Sequence, residues 1–166
     1  MATALNTTAT PLKLGTMAGP NVVEARAAVP TGSPVVFTAT AVNDAPHRLR
    51  FTQSPGNIVA GASFTPAVQV TVQDSFGNRI PGVNFQITLG LVSPVAGATL
   101  AGTISLNATD GVASFGTLTV GKVGTGFLLV ASSGQFVPDT SAAFNVNSGS
   151  AQRLAFVVQP VGSRTG

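Results

Sequence analysis

The sequence contains no cysteine, no tryptophan and no tyrosine. Without cysteine there are no disulfides, no thiolate metal sites and no cysteine nucleophile. Without tryptophan or tyrosine there is no indole or phenol platform to stack on sugars or bases. All ten aromatic residues are phenylalanine. Charge is scarce as well: 8% of the chain, against about a quarter in an average domain. The acids are Glu24, Asp44, Asp74, Asp110 and Asp139, widely spaced. The net charge of +3 therefore reflects few acids rather than a basic face. The bases are scattered, and only Arg48 and Arg50 sit close together. Nucleic-acid binding needs a dense basic surface, so it is not expected. No apolar run reaches the roughly 18 residues of a membrane helix, so no membrane insertion is expected. The opening MATALNTTAT has neither the basic nor the apolar region of a signal peptide. An exported parent would then carry its targeting signal elsewhere or leave by another route.

What is present is apolar residues, at 44%, with 19 glycines and 11 prolines. That composition supplies a core and many turns. Residues 68–73, VQVTVQ, alternate without a break, which turns Val68, Val70 and Val72 to a core and Gln69, Thr71 and Gln73 to water. Residues 83–89, VNFQITL, repeat the pattern with Val83, Phe85, Ile87 and Leu89 inward. DSFGNRIPG between them is dense in turn formers. Further strands are expected at 99–106, 112–120, 125–132 and 141–147, separated by turns at Asp110-Gly111, Gly121, Ser133-Gly134 and Pro138-Asp139. No 3.6-residue apolar period appears. Short strands with closely spaced turns predict an all-β sandwich or barrel.

A repeat is written into the chain. RLRFTQSP at 48–55 resembles RLAFVVQP at 153–160, with Arg48, Leu49, Phe51 and Pro55 each 105 positions before its match. VVFTATA at 35–41 resembles AAFNVNS at 142–148. The same junction thus occurs twice, a strand near a phenylalanine, a polar linker, then Arg-Leu-x-Phe. This predicts the last strands of a preceding module at 1–43, a linker at 44–47, a complete module at 48–148, and a linker with the first strand of a following module at 149–166.

Residues 66–89, PAVQVTVQDSFGNRIPGVNFQITL, resemble the bacterial Ig-like repeats of large surface proteins and invasin/intimin-type adhesins. Those repeats place Asp-x-x-Gly-Asn between two apolar strands, here Asp74, Gly77 and Asn78. Residues 108–132 are similar to a later stretch of the same repeats, and 14–27 with 32–41 are similar to their last strands. The resemblance implies an Ig-like antiparallel β-sandwich in a tandem array with incomplete flanking modules. It also implies an extracellular or cell-surface setting and a structural or adhesive role.

Read as chemistry, the same residues make a turn. Asp74 is placed to accept N–H groups two residues on, and Gly77 and Asn78 tolerate positive φ. A calcium site from Asp74, Asn78 and Asp110 falls short of the six or so oxygens required. His47, the only histidine, sits in the linker beside Asp44 with no pocket in prospect for a catalytic triad. No phosphate loop occurs, and the five acids suggest no carboxylate pair. Self-stapling through Lys122, or through Lys13 with Glu24, lacks the buried triad it needs. Asn6-Thr7-Thr8 and Asn107-Ala108-Thr109 match the glycosylation pattern. Phe51, Phe85, Phe115, Phe127 and Phe144 are expected in the core, and Phe64, Phe76 and Phe136 to plug the ends of the sandwich, with a contact between consecutive modules as the alternative.

The expectation is a non-enzymatic structural module with no cofactor, no metal and no catalytic residue. It belongs to an extracellular bacterial repeat protein or fibre, in which the incomplete ends are completed either by a longer parent chain or by a neighbouring copy, head to tail, through terminal strand donation. Val35 and Phe37 at one end, and Leu154 and Phe156 at the other, are the candidate assembly residues, because an incomplete module gives them no core to enter. The alternative is an adhesin module whose end loops hold a host or cell-surface glycan or protein.

Overall fold

The computed structural model describes residues 15–25 and 35–150. Leu154 and Phe156 lie outside them, as do Asn6 and Lys13. The elements are β1 (Gly19–Ala25), β2 (Val35–Ala41), β3 (Arg48–Gln53), β4 (Ile58–Val59), β5 (Val68–Gln73), β6 (Gln86–Val92) and β7 (Leu100–Ala101). They continue with β8 (Ser105–Asn107), β9 (Val112–Phe115), β10 (Thr119–Val120), β11 (Gly124–Ser132), β12 (Asp139–Thr140) and β13 (Phe144–Asn147). No helix occurs among the described residues.

Two sheets make a sandwich. One has the order β3-β5-β9, and the other β4-β13-β11-β6-β8, with β12 also paired to β11. Most pairs are antiparallel, and β4 with β13 is parallel. The first and second halves of the opening segment, β3 and β4, belong to different sheets, with buried Pro55 at the crossing. Proline has no N–H to lose where the chain leaves a ladder. This division, with β5 and β9 facing β6, β11 and β13, is the immunoglobulin-like arrangement.

The core is closed between these two sheets. Val68, Val70 and Val72 of β5 meet Ile87, Leu89, Phe127, Leu129, Phe144 and Val146 of the facing sheet, all nearly inaccessible to water. Phe64 meets Phe144 edge to face at 5.1 Å, and Phe144 stacks on Phe127 at 5.7 Å. Phe64 was expected as an end plug and instead lies in the core. Phe115 is fully buried, whereas Phe51 and Phe85 are half-buried at its margin. Phe85 is drawn aside by Phe136, whose ring meets it edge to face at 4.8 Å. Phe76 is 57% exposed and plugs nothing.

Thr71 departs from the alternation: it is buried rather than turned to water. Its strand β5 is the middle one of its sheet, paired to Arg50 on one side and Val112 on the other. The Thr71 hydroxyl shares a hydrogen bond of 3.0 Å with that of Thr52, so the burial leaves no orphaned polar group.

The connection from β8 to β9 is a two-residue turn, Asp110-Gly111, with Thr109 and Val112 exchanging both backbone bonds. Asp110 has φ +51° and Gly111 φ +76°, the pair of left-handed conformations that Asp-Gly supplies. A Cβ on Gly111 would run into the Ile80 carbonyl.

Candidate functional site

The loop between β5 and β6 carries the most organised polar structure among the described residues. Asp74 ends β5 with its side chain fully buried. Its Oδ1 accepts the N–H of Phe76 at 2.9 Å and that of Asn78 at 2.8 Å. Its Oδ2 accepts the Asn78 side-chain Nδ2 at 2.8 Å and the Asp44 N–H at 3.2 Å. Burial works to raise the Asp74 pKa. The Asn78 side chain and the N–H groups of Asn78, Asp44 and Phe76 outweigh it and hold the carboxyl below its ordinary value. Gly77 takes φ +93° in this turn. Asn78, expected to share that role, does not: among the described residues Asp110 is the one non-glycine with positive φ. The Arg48 guanidinium lies against the turn, and a Cβ on Gly77 would stand 3.1 Å from its Nη2.

Besides its bond to Asp74, the Asn78 amide reaches outward to the segment before β1. Its Nδ2 donates to the Thr16 carbonyl at 2.8 Å, and its Oδ1 accepts the Ala18 N–H at 3.0 Å. One side chain therefore mimics a strand partner for the segment leading into the β1–β2 hairpin. Asn43 completes the attachment by donating to the Arg79 carbonyl at 2.8 Å. The Asp-x-x-Gly-Asn turn is thus both a loop and the seat of the preceding hairpin. Beside it lies an open cleft of about 360 Å³ floored by Val42, Asp44 and Phe76. The sequence pointed to the turn but not to this contact. The partners lie about sixty positions away and offer only backbone groups, which no side-chain pattern announces.

Asp110 is not drawn into that site. Its Oδ1 accepts Gly82 N–H at 2.9 Å, and its Oδ2 accepts Arg79 Nη1 at 2.8 Å. The Gly82 bond and the Arg79 guanidinium lower its pKa. Among the described residues no three carboxylate, imidazole or thiol groups gather as ligands for one ion. His47 is exposed; its backbone pairs with Gln73 and Val137. Lys122 donates to the Ala96 carbonyl at 2.8 Å. Of the four assembly candidates, Phe37 stands opposite Val23 on β2 and is 57% exposed. Its neighbour Val36, on the opposite face, is 55% exposed, so the hairpin is bare on both sides there. Val35 is the first residue of β2, opposite Ala25.

At the same end of the sandwich, the start of β6 and the turn after β11 enclose a second open cleft of about 510 Å³. Phe85, Gln86, Thr88, Ser132, Ser133 and Gln135 line it.

No protein-family model matches the chain, and no curated protein matches it. Among solved structures, two of Parabacteroides merdae β-glucuronidase are similar, one of them with glycerol in its active site. Both are 17% identical and cover 70% of this chain, with TM-scores of 0.43 and 0.44. The chain spans only 14% and 15% of those enzymes' length, and the likeness carries nothing about activity.

Proposed function

We propose that the chain is a non-enzymatic structural module of an extracellular repeat protein or fibre, held to neighbours of its own kind. The observation that supports this reading is the two-way grip of Asn78 on Thr16 and Ala18, which seats one β-unit on the next. The repeated Arg-Leu-x-Phe at 48–51 and 153–156 adds to it. In this reading residues 152–166 of one copy pair with the β1–β2 hairpin of the next and complete the partial module there. The β1–β2 hairpin, where Val35 starts β2 and Phe37 is exposed, receives the donated strand. Such contacts are heterologous and grow into open fibres. The test compares the full chain with one ended at residue 151, by sedimentation and electron microscopy. Polymers that vanish on trimming support strand donation; polymers that persist refute it, and a full chain that stays monomeric refutes the fibre.

A second reading, an adhesin module, has the polar cleft by Gln86 and Gln135 in its favour. Its neutral, amide- and hydroxyl-rich lining suits an uncharged glycan. Glycan-array binding that is lost in a Gln86→Ala, Gln135→Ala double variant would establish it, and no binding across the array would reject it.

A further inference from the structure

The opening segment of the module, residues 47–60, and its closing segment, residues 137–147, run side by side in the same direction. At the upper end Val137 N–H donates to the His47 carbonyl at 3.0 Å, and Leu49 N–H to the Val137 carbonyl at 2.9 Å. Arg48 and Val137 form a parallel bridge there. At the lower end Ile58 pairs with Val146 and Val59 with Asn147, again parallel, and Ala60 N–H donates to the Asn147 carbonyl at 2.9 Å. Between these ends the opening segment crosses from one sheet to the other, and ordinary ladder bonds are interrupted. Side chains fill the gap. Asp139 Oδ2 accepts Phe51 N–H at 2.8 Å, Ser54 Oγ accepts Ala142 N–H at 3.4 Å, and Asn57 Oδ1 accepts Asn145 N–H at 2.7 Å. All three span the same 88 positions, so the register is kept across the crossing. The seam is continuous, half built from backbone and half from side chains that stand in for it.

The direction of this seam has a mechanical meaning. Because the two segments are parallel, the chain enters the module at one end and leaves at the other. A pull on the chain ends slides the segments past each other, and every cross-link is stretched at once. An antiparallel pair of terminal strands would open from one end, one bond at a time. Leu49, Ile58, Phe144 and Val146 anchor both segments in the core, so sliding also tears apolar contacts. We infer that the module carries tension along the chain, and that the parallel seam, with Asp139, Ser54 and Asn57 as its side-chain links, is the element that resists it. The inference rests on the reading of the chain as a structural module in an array and names the service that module performs.

Forced unfolding is governed by the height of the unfolding barrier, not by equilibrium stability, so it is read by pulling single molecules. The full chain is held at its two ends in one experiment. In the other it is held at Ala62→Cys and Ser148→Cys, both exposed positions at the lower end of the seam. The native chain has no thiol to compete with these handles. End-to-end pulling shears the seam, whereas the cysteine handles peel it open. The expected unfolding force is at least roughly twofold higher end to end. Equal forces in the two geometries overturn the inference. An Asn57→Ala, Asp139→Ala double variant should lose about a third of the end-to-end force. Ser105→Ala, on the far edge strand, should lose none. A urea melt first establishes that the double variant is folded; an undiminished force in that folded variant overturns the role given to the side chains. Glycan binding, or failure to form fibres, would strike the structural-module reading and leave the force ratio untouched. Equal forces would strike only the seam.

Discussion

Replacing Asp74 tests the junction turn directly. Its carboxylate takes four donors, from Phe76, Asn78 twice and Asp44. A hydrogen bond to a charged group contributes about 1.5–3 kcal/mol, and a buried donor left without a partner costs about 1–3 kcal/mol. Water can reach the exposed Phe76 and Asp44 backbones but not the floor of the turn, so about two of the four losses count in full. Asp74→Ala should therefore destabilise the chain by about 2–6 kcal/mol. Asp74→Asn keeps an oxygen for the Phe76 and Asn78 N–H groups but turns an NH₂ toward the Asn78 amide and Asp44. It should cost about half as much, roughly 1–3 kcal/mol. The pH dependence follows from the depressed carboxyl. A depressed folded pKa gives stability that is present above the unfolded value of about 3.9. That stability disappears as pH falls through the folded value. The gap between wild type and Asp74→Asn should therefore be full at neutral pH and close below about pH 4. Asp110, lowered by Gly82 and Arg79, titrates in the same direction in both proteins and cancels from the difference. Urea melts followed by far-ultraviolet circular dichroism, repeated from neutral to acidic pH, measure all of this. A cost under about 0.5 kcal/mol for Asp74→Ala, or a gap that does not change with pH, would refute the reasoning.

Three other outcomes are expected. Phe127→Ala should cost about 3–5 kcal/mol in the same melts, because its fully buried ring leaves a cavity; Phe85→Ala, at the margin, should cost only about 1–2 kcal/mol, and equal losses would contradict the burial pattern. Gly111→Ala should cost about 2 kcal/mol or more, from positive φ combined with a Cβ driven into the Ile80 carbonyl; a neutral result would mean the Asp110-Gly111 turn is conformationally free. In hydrogen exchange, the amides of Val70 and Val72 should be among the slowest, because β5 is paired on both sides, and fast exchange there would contradict the sheet order.

The fold was legible where local pattern and tertiary context agree. The strand expected at 68–73 is β5 to the residue, because clean alternation there ends at turn residues. The strand expected at 83–89 lies at Gln86–Val92, since residues 81–85 are used in crossing between the sheets. The strands expected at 99–106 and 112–120 are each broken in two. Thr119 and Val120 leave the β5 sheet to pair with Ala101 and Leu100, a long-range competition that no local apolar pattern records. The last strand, expected at 141–147, is shortened to β13 (Phe144–Asn147), and Asp139, expected in a turn, opens the short β12 instead; between the two, Ser141 turns its hydroxyl to the Leu129 N–H and the Ala142 carbonyl. The candidate site was half legible. Asp74 and its bond two residues on follow from turn chemistry. The outward reach of Asn78 does not, because its partners are backbone groups of a distant segment.

The Phe64–Phe144–Phe127 cluster also makes the core visible on its own. With no tryptophan or tyrosine in the chain, phenylalanine alone produces the near-ultraviolet signal. Rings locked edge to face and stacked sit in a fixed chiral field, whereas exposed Phe37 and Phe76 average theirs away. The fine structure of that spectrum is therefore a label-free optical reporter of the packed rings, the Phe64–Phe144–Phe127 cluster together with buried Phe115 and the Phe85–Phe136 pair. A variant that keeps its far-ultraviolet spectrum but loses this fine structure has kept its strands and let their centre come loose.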